Sequence, residues 1–140
     1  MKKLLLTLAL GCCFTLPASA DNPTELFVSV NSGNPQTQGM AMVLATQAVE
    51  QKAGVRVLLC AEGGQLAVKG KEFATLKPRN VTPQQMLQGL MMVGAKVEVC
   101  ALFLPNSGLT PADLIEGIEV AKPADVAKYL LQGHVKTLTY

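Results

Sequence analysis

Short runs rich in apolar and β-branched residues alternate along the chain with longer segments in which apolar residues recur at helical spacing. The runs cover residues 26–30, 55–60, 96–100, 118–120 and 135–140. Runs of this length, bounded by turn residues, predict strands, and nearly continuous apolar runs such as residues 55–60 are typical of strands covered on both faces. The alternation predicts an α/β protein, a three-layer α/β/α sandwich around a mainly parallel five-stranded sheet.

The first helical segment is predicted over residues 36–53. Its apolar residues at helical spacing are Met40, Val43, Leu44, Ala48 and Val49. Gly54 follows as the expected C-terminal stop.

The second helix has a well-defined expected start. Thr82 is the predicted N-cap, Pro83 takes the first helical position, and Gln85 closes a capping box. The apolar stripe of this helix consists of Met86, Leu87, Leu90, Met91 and Val93. Gly94 marks its end.

Two further helices are predicted nearer the C-terminus, one from Thr110 to Gly117 and one from Pro123 to Gly133. Residues 101–108 are expected to form a loop. In residues 65–80 the only helical indication is a short start at residues 66–68, and the rest is expected to be an exposed basic excursion.

The first twenty residues have the anatomy of a signal peptide. Lys2 and Lys3 precede an apolar stretch too short to span a bilayer, and residues 18–20, Ala-Ser-Ala, form a small-x-small cleavage site. We therefore expect an exported, periplasmic protein of one domain over residues 21–140, with no membrane contact after cleavage. The alternative is a lipoprotein acylated at Cys12, for which Ala9 and Leu10 fit poorly.

Removing that segment changes the charge. Lys2 and Lys3 belong to the 12 basic residues, against 10 acidic ones, so the chain from Asp21 has a formal charge of zero. It has no basic run and no aromatic platform, which argues against nucleic-acid binding.

Cleavage also leaves Cys60 and Cys100 as the only two cysteines. In an oxidising compartment such a pair favours a disulfide, whereas unpaired cysteines are commonly buried. The order of the strands determines whether a disulfide can form, because only adjacent strands bring the two Cα atoms close enough for a bridge or a redox pair. With His134 as its one histidine and no close cysteine pair, the chain offers no metal-binding pattern, and no cofactor is expected.

Further candidate residues follow the predicted strands, since ligands in parallel sheets bind outside the carboxyl ends of the strands. Asn31, Ser32 and Gly33 end the first strand, where turn amides could hold an anion beside Cys100. Glu62 is a candidate acid or base, with a solvated loop glutamate as the alternative. The candidates in the loop after Cys100 are Asn106 and Ser107, whose turn amides could favour a thiolate.

Several motifs resemble the DsrE/DsrF-like family of sulfur-relay proteins. They are residues 113–121 (DLIEGIEVA), 124–127 and 130–131 in the tail, the strand Val-Glu-Val-Cys over residues 97–100, and residues 62–70 (EGGQLAVKG). The resemblance covers residues 26–140. It implies a five-stranded α/β/α fold, assembly into dimers, trimers or hexamers, and a cysteine that carries sulfur as a persulfide.

Only Cys100 falls on the family's sulfur-bearing position. Several relatives have a second cysteine just after the first, whereas Ala101 to Pro105 follow it here. The expected function is a periplasmic sulfur carrier or sulfurtransferase, with donor and acceptor unidentified. The alternative is a non-catalytic oligomeric module that binds a small ligand or metal ion and whose cysteines are structural.

Overall fold

The computed structural model describes residues 24–140, so the predicted signal peptide, residues 1–20, lies outside it. The strands are β1 (Glu25–Val30), β2 (Gly54–Leu59), β3 (Lys96–Val99), β4 (Glu119–Val120) and β5 (Val135–Thr139). The α-helices are α1 (Pro35–Glu50), α2 (Pro83–Met92), α3 (Phe103–Ser107) and α4 (Pro123–Leu130). Two 3-10 segments occupy Ala61–Ala67 and Pro111–Asp113.

All five strands join in one parallel sheet, in the order β4-β3-β2-β1-β5. The predicted α/β fold with a five-stranded parallel sheet is therefore confirmed. β2 pairs with β1 on one side and with β3 on the other, so the first and third strands are not neighbours.

The two faces of the sheet are covered unequally. The larger core packs α1 and α2 against one face, where Val28, Val57 and Val97 are almost completely buried. On the other face, α4 covers a smaller cluster that includes Phe27 and Val126. This lighter cover leaves space on the α4 side of the sheet.

The starts of the two long helices are set by local capping. The Asn34 side chain accepts hydrogen bonds from the amides of Gln36 and Thr37 at the start of α1. The capping box predicted for α2 is confirmed, because Thr82 and Gln85 each accept from the other's backbone amide. No helix within residues 24–140 combines the length and apolar character that a membrane crossing needs.

The buried face of α1 is not marked by the apolar residues that recur at helical spacing. Its buried residues are Gln38, Gly39, Ala41, Met42 and Ala45, while Met40 and Val43 are exposed. Because apolar residues occur all around this helix, helical spacing alone did not select the face that meets the sheet. The predicted end of this helix at Gly54 was also wrong. Lys52 takes the left-handed backbone conformation, with φ 68°, and Gly54 already belongs to β2.

The segments after β2 and β3 were also assigned incorrectly. A 3-10 helix begins at Ala61, directly after β2, and ends where a helix start was expected. Residues 101–108 contain the short helix α3 rather than only a loop, and the helix expected from Thr110 is a single 3-10 turn. In the second helix Leu87 and Leu90 are buried as predicted, whereas Val93 is exposed.

Candidate functional site

The two cysteines lie side by side at the carboxyl ends of neighbouring strands. Leu59 and Val99 are in register, and the amide of Cys100 donates to the carbonyl oxygen of Leu59 at 2.9 Å. Cys60 directly follows Leu59, and Cys100 directly follows Val99. Both are free thiols and both are half-buried. Their side chains are within hydrogen-bonding reach of each other. The strand order thus permits the bridge or redox pair that the sequence left open.

The turn after Cys60 is held by close packing of two glycines. A Cβ on Gly63 would clash with the backbone of Val30, and a Cβ on Gly64 would clash with the ring of Phe103. The 3-10 helix therefore lies tightly between the end of β1 and α3, with Gly63 N donating to Asn31 O at 3.3 Å. This packing fixes the direction in which the chain leaves Cys60.

A cavity of about 920 Å³ adjoins both thiols on the α4 side of the sheet. Its walls are mostly apolar and include Leu58 and Ala121 from the sheet side and Val126 and Leu130 from α4. Four polar side chains also line it, those of Glu62, Gln65, Asn106 and Ser107. Cavities with apolar walls and a few polar groups are typical of small-molecule sites.

The predicted site residues divide into two groups. Cys60, Cys100, Glu62, Asn106 and Ser107 all line the cavity. Asn31, Ser32 and Gly33 do not line it.

The prediction that the turn after β1 lies beside Cys100 was wrong, because β2 separates β1 from β3. The turn lies next to Glu62 instead: a Cβ on Gly33 would stand 2.6 Å from Glu62 Oε2. The amide of Asn31 donates to Tyr140 O, and Ser32 Oγ accepts from the amide of Asn34. An anion site at this turn stays a prediction.

Of the amides expected to favour a thiolate on Cys100, that of Asn106 is used within α3. The amide of Phe103 donates to Cys100 O at 2.9 Å, and the amide of Asn106 donates to Leu102 O at 3.3 Å. The Asn106 side chain donates to the same carbonyl, at 2.7 Å. The prediction treated these residues as an open turn, and their helical hydrogen bonds were not visible in the sequence.

The surroundings of Cys60 change the acidity of its thiol. Burial, a hydrogen bond to the Cys100 side chain and the charge on Cys100 raise the pKa of Cys60 to about 12. The backbone amide of Cys100 opposes this rise without cancelling it. Cys60 therefore keeps its proton at neutral pH and acts as a hydrogen-bond donor towards Cys100.

A group of charges lies further back along the same face of the sheet, with Arg56 and Glu98 buried and Lys96 exposed. Arg56 Nε donates to Glu98 Oε2 at 2.6 Å, and Lys96 Nζ lies 3.0 Å from Glu98 Oε1. Arg56 and Glu98 are 8% and 3% exposed, and the Arg56 guanidinium carbon stands 4.9 Å from the centre of the Tyr129 ring. Burial pushes the pKa of Glu98 up, but the hydrogen bonds and charges of Arg56 and Lys96 outweigh it and hold that pKa below its usual value.

The sequence interpretation missed this charged group and the wall formed by α4. Arg56 and Glu98 each interrupt an otherwise apolar strand, which was the available signal. Only the pairing of β2 with β3 brings the two side chains together. Within residues 24–140, no three His, Cys, Asp or Glu side chains are grouped so that they could hold a metal ion.

Comparison with known proteins gives relatives of the same fold. No protein-family model matches the chain. The uncharacterized protein MJ0760 of Methanocaldococcus jannaschii is 25% identical over 114 residues, which cover 80% of this chain. The matched part is 42% of MJ0760, so the chain spans less than half the length of this relative.

Two solved structures are similar over nearly their whole length. The YchN protein from E. coli matches with a TM-score of 0.69 and 20% identity, covering 85% of this chain and 100% of YchN. MTH1491 from Methanobacterium thermoautotrophicum, a protein of unknown function, matches with a TM-score of 0.64 and 12% identity, covering 84% of this chain and 99% of MTH1491. The chain therefore has the α/β fold of these two proteins, the DsrE/DsrF-like fold.

Proposed function

We propose that the protein carries or transfers sulfane sulfur as a persulfide on Cys100. The supporting observation is the pair of half-buried thiols, side by side at the carboxyl ends of β2 and β3 and adjoining an apolar cavity. Ligands of open parallel sheets bind at this edge. The resemblance to the DsrE/DsrF-like family gives the sulfur-bearing role to Cys100.

The chemistry is thiol exchange. In loading, the Cys100 thiolate attacks the outer sulfur of a donor persulfide, R–S–SH; a new S–S bond forms, the donor S–S bond breaks, and the donor leaves as a thiolate. In unloading, an acceptor thiolate attacks the terminal sulfur of the Cys100 persulfide, and Cys100 leaves as a thiolate. The two steps together move one sulfur atom with no net oxidation or reduction.

The neighbouring groups support this direction of attack. Because burial and Cys100 raise the pKa of Cys60 to about 12, Cys60 remains a neutral donor beside the Cys100 sulfur. The apolar wall, which includes Leu58, Ala121 and Val126, gives a bound sulfane sulfur an apolar surface to lie against. Glu62 and Gln65 provide polar contacts for a donor or acceptor that enters the cavity.

Export and self-association belong to the same proposal. The signal-peptide anatomy of residues 1–20 supports a periplasmic location. Leu102 and Leu130 line the cavity and are 73% and 40% exposed, and Leu131, the residue after Leu130, is 87% exposed. Exposed leucines of this kind are commonly covered in a subunit interface, which supports a homo-oligomer.

Intact mass measurement tests the proposal. The reduced protein is mixed with one equivalent of a low-molecular-weight persulfide and sampled at early times. We expect the mass to rise by one sulfur atom in the wild type and to stay unchanged in Cys100→Ser. An adduct of the same size on Cys100→Ser, or no adduct on any form of the protein, contradicts a persulfide on Cys100.

The second candidate is a non-catalytic oligomeric module that binds a small ligand. The observation in its favour is the cavity itself, whose volume of about 920 Å³ far exceeds the space that one sulfur atom needs. In that case the thiols are structural, and neither reacts with a persulfide. Counting reactive thiols before and after addition of the donor separates the two functions.

A further inference from the structure

We propose that Cys60 is a resolving thiol, which discharges the Cys100 persulfide as hydrogen sulfide and leaves a Cys60–Cys100 disulfide. This inference rests on the proposed function, because it requires sulfur to be loaded on Cys100. It adds a reductive activity: sulfane sulfur that meets no acceptor is converted into sulfide. The protein then alternates between a dithiol and a disulfide form.

The reaction balances without an external oxidant. Cys60 Sγ attacks Cys100 Sγ, an S–S bond forms between the two side chains, and the bond from Cys100 Sγ to the terminal sulfur breaks. The proton of the Cys60 thiol leaves with the terminal sulfur, so the products are the disulfide and H₂S. The two thiol sulfurs are oxidised and the sulfane sulfur is reduced. A dithiol reductant then returns the protein to its starting form.

The position of the cysteines satisfies the distance requirement. Neighbouring strands lie ~4.8 Å apart, and a disulfide joins Cα atoms separated by ~4.4–6.8 Å. Leu59 and Val99 are partners in the β2–β3 ladder, and each cysteine follows its partner residue directly. Since the two side chains are within hydrogen-bonding reach, the attacking sulfur needs only a small movement.

The surroundings explain why the discharge is slower than transfer of the sulfur to an acceptor. The Cys60 thiol is half-buried, with apolar Leu58 two residues before it in the same cavity wall, and it stays protonated at neutral pH. A protonated thiol attacks slowly, so an acceptor has time to take the sulfur first. Sulfide is small enough to leave through the cavity, which both thiols line.

The first test examines the thiol pair without any sulfur donor. The reduced wild-type protein is treated with oxidised dithiothreitol, and thiols, intact mass and molecular size are measured. We expect both thiols to disappear, the mass to fall by two hydrogen atoms and the size to stay unchanged. A wild type that keeps both thiols, or that becomes linked between chains, overturns the proposal.

The second test follows sulfide after addition of one equivalent of a persulfide donor. The wild type should release sulfide in an amount equal to the protein and end as the internal disulfide. Cys60→Ser should keep the sulfur as a stable adduct on Cys100, with sulfide at the level of the buffer control. Cys100→Ser should do neither.

The outcomes distinguish this inference from the proposed function. If Cys60→Ser releases sulfide as fast as the wild type, the resolving role of Cys60 is overturned while Cys100 remains the carrier. If neither the wild type nor Cys60→Ser takes up sulfur, both proposals fall, and the oxidation test then shows only whether the pair is a simple disulfide.

Discussion

At the scale of single residues, the two cysteines have the same chemistry but different surroundings. Burial, contact with the Cys100 side chain and the charge on Cys100 raise the pKa of Cys60 to about 12. Only a thiolate is a good nucleophile, so Cys60 is a poor competitor for an incoming sulfur at neutral pH. This fits the proposal in which Cys60 acts only in the later step.

The reactivity of Cys60 can be measured alone in Cys100→Ser. We expect iodoacetamide to alkylate Cys60 slowly at neutral pH, with a rate that keeps rising with pH well above the ~8.5 of an ordinary cysteine. Burial, the largest cause of the raised pKa, is retained in this variant. A short unstructured cysteine peptide is the control, and an equal rate for peptide and protein at pH 7 contradicts the expectation.

The buried charges of Arg56 and Glu98 set a second residue-scale prediction. In Glu98→Gln the Arg56 guanidinium keeps its buried position but loses the opposite charge, so we expect the free energy of unfolding to fall by about 3 kcal/mol. Glu119→Gln is the matched control, because Glu119 pairs with Glu98 in register but is exposed. Chemical denaturation of both variants measures the difference.

The same carboxylate predicts a pH dependence. The pKa of Glu98 is lowered in the folded protein, so its contribution to stability is present above the unfolded value of ~4.3 and is lost as the pH falls below it. Unfolding curves between pH 7 and pH 3 should therefore converge for the wild type and Glu98→Gln. A gap that stays constant with pH would show that Glu98 acts through packing alone.

At the scale of elements, the 3-10 helix after β2 determines how Cys60 and Glu62 meet the cavity. Gly63 lies against the backbone of Val30, and Gly64 lies against the ring of Phe103. Backbone atoms cannot move aside as a flexible side chain can, so the contact at Gly63 is the less tolerant of the two.

We expect Gly63→Ala to lower the free energy of unfolding by about 2 kcal/mol, because the added methyl group forces the 3-10 helix away from β1. Gly89→Ala is the control: Gly89 lies within α2, and an added Cβ meets no atom within 4 Å. That change should stabilise α2 by about 0.8 kcal/mol. Equal effects of the two substitutions would contradict the close contact at Gly63.

At the scale of elements, the sequence predicted features that depend only on residues close together in the chain. The cap of α2 follows from Thr82, Pro83 and Gln85 alone, because the capping box involves only neighbouring residues. The buried face of α1 was missed because Met40 and Val43 compete with Ala41 and Met42, and the sheet decides between them. Helix α3 was missed because Pro105 and Asn106 are typical turn residues, yet Phe103 and Leu104 anchor them to the core.

At the scale of the whole molecule, the exposed leucines beside the cavity support the proposed self-association. We expect the wild type to be a homo-oligomer in light scattering, and Leu102→Ser with Leu131→Ser to shift it towards the monomer. Met92→Ser is the control, since Met92 is 83% exposed but ends α2, near the amino end of β3. A wild-type monomer, or dissociation by Met92→Ser alone, contradicts an interface beside the cavity.

The candidate site was predictable from the sequence only in part. The residues after each strand could be named, because all parallel strands end at one edge. The residues that lie next to each of them in space could not be named, since the order β4-β3-β2-β1-β5 depends on long-range pairing that no local pattern encodes. The same order that separates Asn31 from Cys100 brings Cys60 next to it.

Because β2 and β3 are adjacent, the thermal stability of the protein should depend on whether Cys60 and Cys100 are reduced or joined in a disulfide. A bond between the two sulfurs would close a ring of about 40 residues that contains the 3-10 helix after β2, α2 and β3, and would restrict the unfolded chain by roughly 4 kcal/mol. The spent protein should therefore melt at a higher temperature than the protein ready to accept sulfur. A thermal melt could then serve as a gauge of how much of the population has already been discharged.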